Sequence, residues 1–382
     1  MIGKVFRFIY DALSSNWLAL ILLGFLLALT YLGTHDQVEN GLFAAQQKYF
    51  YSPFLIHWFF GVLPVPLPGA FTVMLFLSIN LILGGVIRMR LRWWKIGILV
   101  CHLGVVFLLL GSLVSFRSSQ HGQLRLLTGE TSDLIVSSEA WEVAVQKDGA
   151  GKEIIIPEER LRDLGEDRLA VFRSADLPFG LTFTGYLENC EPAVSRSTTP
   201  VLHQVGDFVL REQPREKNVG ANIPGIKVMV AETAQTALLW GGSTAPYVVE
   251  SGGERFGIEL RRVQRYLPFQ IRLEEFRQEL YPGTGMPKAY ESDVLQIEDE
   301  VSRPVKISMN EPLRHKGYTL YQSSFDRPSQ RTGMRWMSVF SVVWNPADNL
   351  PLIATIIICL GVLAHFLIKL IRHQVAETGG KS

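Results

Sequence analysis

Ile96–Phe116 reads IGILVCHLGVVFLLLGSLVSF, with no Asp, Glu, Lys or Arg in it. An α-helix rises about 1.5 Å per residue, so this stretch is long enough to cross a hydrocarbon layer roughly 30 Å thick. Working outward, three more runs pass the same test: Trp17–Thr34, Phe71–Ile87 and Leu350–Ile371. The predicted fold class is therefore a membrane α-helical protein with four transmembrane helices. The 382 residues are 48% hydrophobic and only 19% charged, which suits a membrane protein with a sizeable water-exposed part. The first apolar run is too long for a signal-peptide core and has no A-x-A site, so it is expected to be retained.

A fifth run, Pro53–Leu63 (PFLIHWFFGVL), is short and runs into Pro64, Pro66 and Pro68. It is expected to be an interfacial or re-entrant piece with Trp58 at headgroup depth. Basic residues set the orientation. RMRLRWWK between the second and third spans contains Arg88, Arg90, Arg92 and Lys95 and no acid; Lys4, Arg7, Lys369, Arg372 and Lys381 flank the outer ends. By the positive-inside rule both termini and the 88–95 loop face the cytoplasm, and the large intervening segment lies outside. The predicted organisation is 1–116 with the first three spans, 117–349 as an extracytoplasmic domain, and 350–382 with the fourth span and a cytoplasmic tail.

Residues 117–349 carry 27 bases against 32 acids, with no basic stripe, which excludes nucleic acid as a partner. Period-two alternation marks strands at Trp141–Gln146, Leu181–Leu187, Ile226–Glu232, Phe256–Val263, Phe269–Leu273, Val305–Asn310, Tyr318–Phe325 and Met337–Trp344. A mostly-β domain is expected, a sandwich or open barrel standing on the membrane. Glu153–Asp167 is charged enough to hold a helix, and Glu188–Asn222 reads as a long mobile loop.

Two of the eight histidines lie inside spans, His102 and His365. Ionisable residues at membrane depth are costly and mark functional sites. Each sits five or six residues from the cytoplasmic end of its helix, roughly 8–9 Å deep at 1.5 Å per residue. Matching depth suits a shared pair of axial ligands to a haem iron, since neutral imidazole is a standard ligand. The plainer alternative is that each ring bonds a carbonyl of a neighbouring helix. Gly97, Gly104 and Gly111 form a smooth stripe every seven residues, expected to seat another helix while His102 points some 140–160° away. Gly361, four residues before His365, leaves room for a porphyrin edge or for ordinary helix packing. His35, His57, His121, His203 and His315 lie outside the spans. Cys101, Cys190 and Cys359 form no C-x-x-C, and no G-x-S-x-G, H-E-x-x-H or phosphate loop is present, so no catalytic residue is assigned.

Three stretches resemble a known family. HLGVVFLLLGSLVS from His102, LPFQIRLEEFRQELYPGTGMPKAYESDVLQ from Leu267 and PVKISMNEPLRHKGYTLYQSSF from Pro304 are similar to ResB/CcsB proteins. The resemblance covers most of the chain except about 149–245. It implies a multi-pass protein of the bacterial inner membrane with its large domain in the periplasm or outside. It implies a system II cytochrome c-type biogenesis role: an accessory, non-catalytic subunit of a haem lyase. The implied complex transports haem b, bound transiently, and attaches it to apocytochrome c. The implied partner is a CcsA-type protein bearing a tryptophan-rich WWD motif, alongside membrane lipid. That motif is absent here, since Trp93-Trp94 sits in the basic loop. The family's membrane histidine beside Leu-Gly falls on His102. Around Gly317, the block is expected to be structural, with Tyr318, Tyr321 and Phe325 filling a sheet face and Gln322 and its serines bonding backbone; a docking surface is the alternative. Two other functions compete: a membrane b-type electron carrier on His102 and His365, and a non-haem scaffold with an external protein-binding domain.

Overall fold

The computed structural model describes residues 2–59, 61–90, 92–149, 151–165, 167–194 and 203–379; Lys381 lies outside them. The chain divides into two compact units, Met1–Ser119 with Asn345–Ser382, and Gln120–Trp344. The first is helical. Four of its helices are long and apolar enough to cross a membrane: Asn16–Asn40, Ala70–Ile87, Trp93–Ser118 and Leu350–Gln374. We call these spans 1 to 4.

Ser15 starts span 1, its Oγ accepting from Trp17 N at 3.2 Å. Ahead of it runs an amphipathic helix, Ile2–Leu13, that the sequence reading did not anticipate. It exposes Val5, Phe6, Phe8 and Ile9. Asn80, buried in span 2, holds the turn between these two helices by donating to Leu13 O at 2.6 Å and Ser15 O at 2.9 Å. From Leu81 to Ile87, span 2 is wound as a π-helix. The short apolar run is an antiparallel hairpin. Phe54–Phe59 pairs with Leu63–Pro68 in the register Phe54↔Pro68, Ile56↔Pro66, Trp58↔Pro64. That face is apolar, with Phe54, Ile56 and Trp58 exposed. Its opposite face packs Leu55 onto Leu29, Tyr49 and Val73. The hairpin is clamped at its base, where Gly69 N and Thr72 Oγ1 both donate to Pro53 O at 2.8 Å.

The second unit is mostly β. Its largest sheet runs in the order 301–308, 287–298, 254–280, 131–147, 120–127, 337–344, 318–326, 313–315, with 247–251 and 153–157 paired at the side. Two strands are long, Thr131–Lys147 and Glu254–Leu280, and each contributes to two hydrophobic cores. In the first core, Trp141, Val143, Phe256 and Ile258 meet Phe183, Ile226, Val228 and Leu239 from a separate four-stranded sheet, a sandwich arrangement. In the second, the large sheet curls on itself around Leu126, Ile135, Ile271, Ile307, Leu320 and Phe340. The terminal strands 301–308 and 313–315 do not pair, so no barrel closes.

The inward face of the long strand changes phase between the cores. Phe256, Ile258 and Leu260 are buried in the first, Leu267, Phe269, Ile271 and Leu273 in the second. A register shift between Arg262 and Gln264 accommodates that change. The two strands predicted separately at Phe256–Val263 and Phe269–Leu273 are therefore one. Two further expectations are corrected. Glu153–Asp167 forms a strand, Glu153–Pro157, and a short 3-10 turn, Glu158–Arg160, rather than a helix. Glu158 is buried there, accepting from Tyr186 Oη and Trp141 N. Within Glu188–Asn222, strands Cys190–Val194, Gln204–Val205 and Phe208–Glu212 form a three-stranded sheet instead of a mobile loop, while 195–202 lie outside the described residues.

Phe340 is fully buried in the second core. Phe340→Ala removes a large side chain and leaves a cavity, which costs roughly 3–5 kcal/mol. Chaotrope unfolding followed through the strand signal should show the β unit losing stability by that order; a change below about 1 kcal/mol would contradict this packing.

Candidate functional site

The glycine stripe of span 3 does seat a helix, span 4. A Cβ on Gly97 would lie 2.4 Å from His365 N, one on Gly104 2.6 Å from Ile358 Cγ1, and one on Gly111 2.9 Å from Leu350 Cβ. Gly361 completes the contact from the other side, where a Cβ would lie 2.7 Å from Cys101 N. Helix packing, not space for a ring edge, is what Gly361 provides.

His102 projects elsewhere, to span 2. Its Nδ1 lies 2.8 Å from Gly85 O. Gly85 is in the last turn of span 2, where carbonyls run out of intrahelical donors. A carbonyl only accepts, so Nδ1 carries the proton. In the neutral ring Nε2 is then an unprotonated lone pair. That is the arrangement found in metal-ligating histidines, whose second nitrogen is fixed by a backbone carbonyl or carboxylate. Gly85 lacks a side chain where one would collide, since a Cβ there would be 2.6 Å from His102 Nδ1.

His365 lies on span 4, with its backbone against Gly97 of span 3 and the Phe366 ring 5.6 Å from its own. Its Nδ1 is buried and has no hydrogen-bond partner among the described residues. An unmet buried polar atom costs on the order of 1–3 kcal/mol, which suits a site completed by something else. The two histidines thus sit on helices in direct contact, with rings that have different neighbours. Of the two, His102 has its Nδ1 fixed by a backbone carbonyl. The residues that sequence reasoning missed are Gly85 and Asn80. A glycine in an apolar helix carries no signal of the carbonyl it exposes.

His57, His203 and His315 are engaged in ordinary contacts. Tyr49 Oη lies 2.7 Å from His57 Nδ1, and burial, then the Lys48 charge, lowers the His57 pKa. His203 Nε2 donates to Gly185 O at 3.0 Å, and His315 Nε2 lies 2.7 Å from Glu298 Oε2. His121 is exposed on strand Gln120–Leu127. On the basic loop, the guanidiniums of Arg92 and Arg372 both lie over the Trp94 ring, at 5.0 and 4.8 Å from its centre. Among the described residues no group of three or more His, Cys, Asp or Glu forms a metal cluster.

Four apolar helices and a mostly-β domain of packed sheets define a multi-pass membrane protein with a large β domain. Residues 233–337 match the model of the ResB-like family, which is linked to cytochrome c biogenesis. The match is consistent with a ResB/CcsB family protein and contains the blocks from Leu267 and Pro304 that carried the resemblance. It lies wholly in the β unit and reaches neither His102 nor His365. Among curated proteins the chain finds no match.

Several residues of the matched stretch have structural contacts. Gly317 sits at φ +78° in the turn between His315 and Tyr318. Phe325 packs against Phe276, Tyr290 and Trp336 at ring distances of 5.0, 5.4 and 6.0 Å. Gln322 bonds side chains more than backbone: its Oε1 accepts from Ser292 Oγ at 2.7 Å and its Nε2 donates to Ser338 Oγ at 2.8 Å, all three residues buried.

Cys190 is buried against Leu187 and Leu210, and burial, with a smaller contribution from Glu212, pushes its thiol up to about 12. The neutral thiol is unreactive. Cys190 should resist maleimide at pH 8 in the folded protein and react once the β unit unfolds. Because the folded pKa is raised from 9.0, this thiol's contribution to stability is complete below pH 9 and disappears as pH climbs to about 12. Rapid labelling of folded protein would place Cys190 outside the core.

Proposed function

We propose that this chain is the accessory subunit of a membrane complex that carries haem outward and supports its covalent attachment to apocytochrome c. The single observation that carries this reading is the His102–Gly85 contact, which leaves Nε2, without a hydrogen-bond partner among the described residues, as the ligating nitrogen of a membrane span. The ResB-like match supports it by linking the chain to cytochrome c biogenesis. Haem b is cargo here. It brings an iron that takes imidazole nitrogen as an axial ligand. His102 supplies that nitrogen, Gly85 holds its tautomer, and His365 with its unmet Nδ1 is the second candidate.

A partner is part of the proposal. No WWD block exists in this chain, so a CcsA-type protein supplies it and lies beside these spans within the lipid. The positive residues of the 88–95 loop support this orientation: the bacterial cytoplasm on their side and the β unit outside, where apocytochrome c receives its haem.

His102→Ala, co-expressed with a CcsA-type protein, should lower both haem retained by the purified complex and cytochrome c maturation several-fold, with imidazole restoring part of each. Gly85→Ala should act in the same direction but more weakly, because its methyl displaces the ring without removing it. Wild-type haem content and maturation in a normally accumulating His102→Ala protein would sink the proposal.

Orientation has its own measurement. A cysteine placed at Ser243 should react with an impermeant thiol reagent in intact cells, above the background of the native cysteines, and one at Arg90 should not. Reaction at Arg90 from outside would invert the map.

A further inference from the structure

Where the two β cores meet, the 131–147 strand bulges. Its pairing with the long strand jumps from Arg262↔Trp141 to Gln264↔Val136, and residues 137–140 loop out between. Ser137 Oγ braces that loop by accepting from Glu139 N at 3.2 Å and Ala140 N at 3.0 Å. Bulges of this kind re-aim side chains and recur beside binding sites. Here the loop walls a cavity of about 580 Å³, whose lining includes Arg125, Arg262, Gln123, Asn218 and Glu139.

Two guanidiniums face this cavity, and neither forms an ion pair among the described residues. Arg262 is held over the Trp141 ring at 3.9 Å, and its Nη1 and Nη2 donate to Ser138 O and Gly220 O, both at 2.6 Å. Arg125 gives Nε and Nη2 to Gln123 Oε1 at 3.3 and 2.9 Å. A guanidinium has five N–H donors; two are used on each, which leaves three on each (5 − 2) with no protein acceptor among the described residues. The adjacent Arg261 shows the contrast, since Glu142, Glu153 and Glu259 all surround it. Burial, and then the charge of Arg125, lowers the Arg262 pKa, with Glu158 and Glu139 acting more weakly in the other direction. Asn218 completes the rim, its Oδ1 tied to Gly220 N at 3.1 Å.

We propose that this cavity is an oxyanion site for a carboxylate- or phosphate-bearing ligand, held by Arg125 and Arg262. Guanidinium forks match the planar spread of such oxygens. Glu139 on the rim opposes the ligand and sets how weakly an anion is held. The site stands apart from the histidines of the spans, and its test does not depend on the haem reading.

The test uses the full-length protein in detergent, titrated with citrate and with inorganic phosphate at constant ionic strength. Chloride and glycerol serve as controls. At least one oxyanion should bind and raise the unfolding temperature of the β unit, and the tighter of the two identifies the ligand's source. Arg125→Gln, an exposed position on a strand, should weaken binding roughly fivefold or more without unfolding the protein. Glu139→Gln should tighten it by about twofold to fivefold by removing the repelling charge. The proposal is overturned if neither citrate nor phosphate binds above chloride, or if both variants bind as the wild type does.

Discussion

A carbonyl in the last turn of an apolar helix has run out of intrahelical donors, and Gly85 O is such a carbonyl. His102 satisfies it across a gap that exists only because residue 85 lacks a side chain. Much of the remaining structure answers the same demand, that a backbone polar group away from solvent must find a partner. Asn80 serves two carbonyls where the amphipathic helix meets span 1. In the β unit, Arg262 serves two more where the ladder breaks. In the first and last of these, the side chain recruited to the backbone is also left with capacity unused among the described residues: Nε2 of His102, three donors of Arg262. Both proposed sites draw on that remainder.

The second unit meets the demand by pooling side chains. Ser292, Gln322 and Ser338 bond one another in a buried cluster on three strands. Such a network is stabilising only when every member is satisfied, and it penalises any slip in strand register. Tyr186 and Trp141 converge on Glu158 in the other core with the same effect. The family match covers the first of these clusters except for Ser338.

How much was legible in the sequence follows from this. The spans were, because uninterrupted apolar runs have few other meanings, and so were strands such as Leu181–Leu187, whose alternation is clean. The helix facing the glycine stripe and the separate direction of His102 also followed from helical periodicity. Strand Pro287–Glu298 was hidden because its inward face carries Ser292 and Gln296 as well as Val294. Its outward Glu291 and Asp293 pair with Arg277 rather than marking a loop. The long strand looked like two because its phase changes at the bulge, among Arg261, Arg262, Gln264 and Arg265. Which neighbour His102 meets was beyond reach, since periodicity gives a direction and not the identity of what lies there. The polar composition of 188–222 suggested mobility, yet Cys190 and Leu210 are buried in a small sheet of their own.

The hairpin between spans 1 and 2 has three prolines in one six-residue strand, at 64, 66 and 68. Alternate residues direct their backbone nitrogens to the same side, and the ladder to Phe54–Phe59 is continuous, so the three ring nitrogens line the outer edge. That margin offers no N–H to an incoming chain. A short, greasy ribbon with an open margin would ordinarily template further ribbons and polymerise. Here the prolines make it sterile on one side, which lets Phe54, Ile56 and Trp58 stay uncovered without recruiting copies of themselves edge to edge along it.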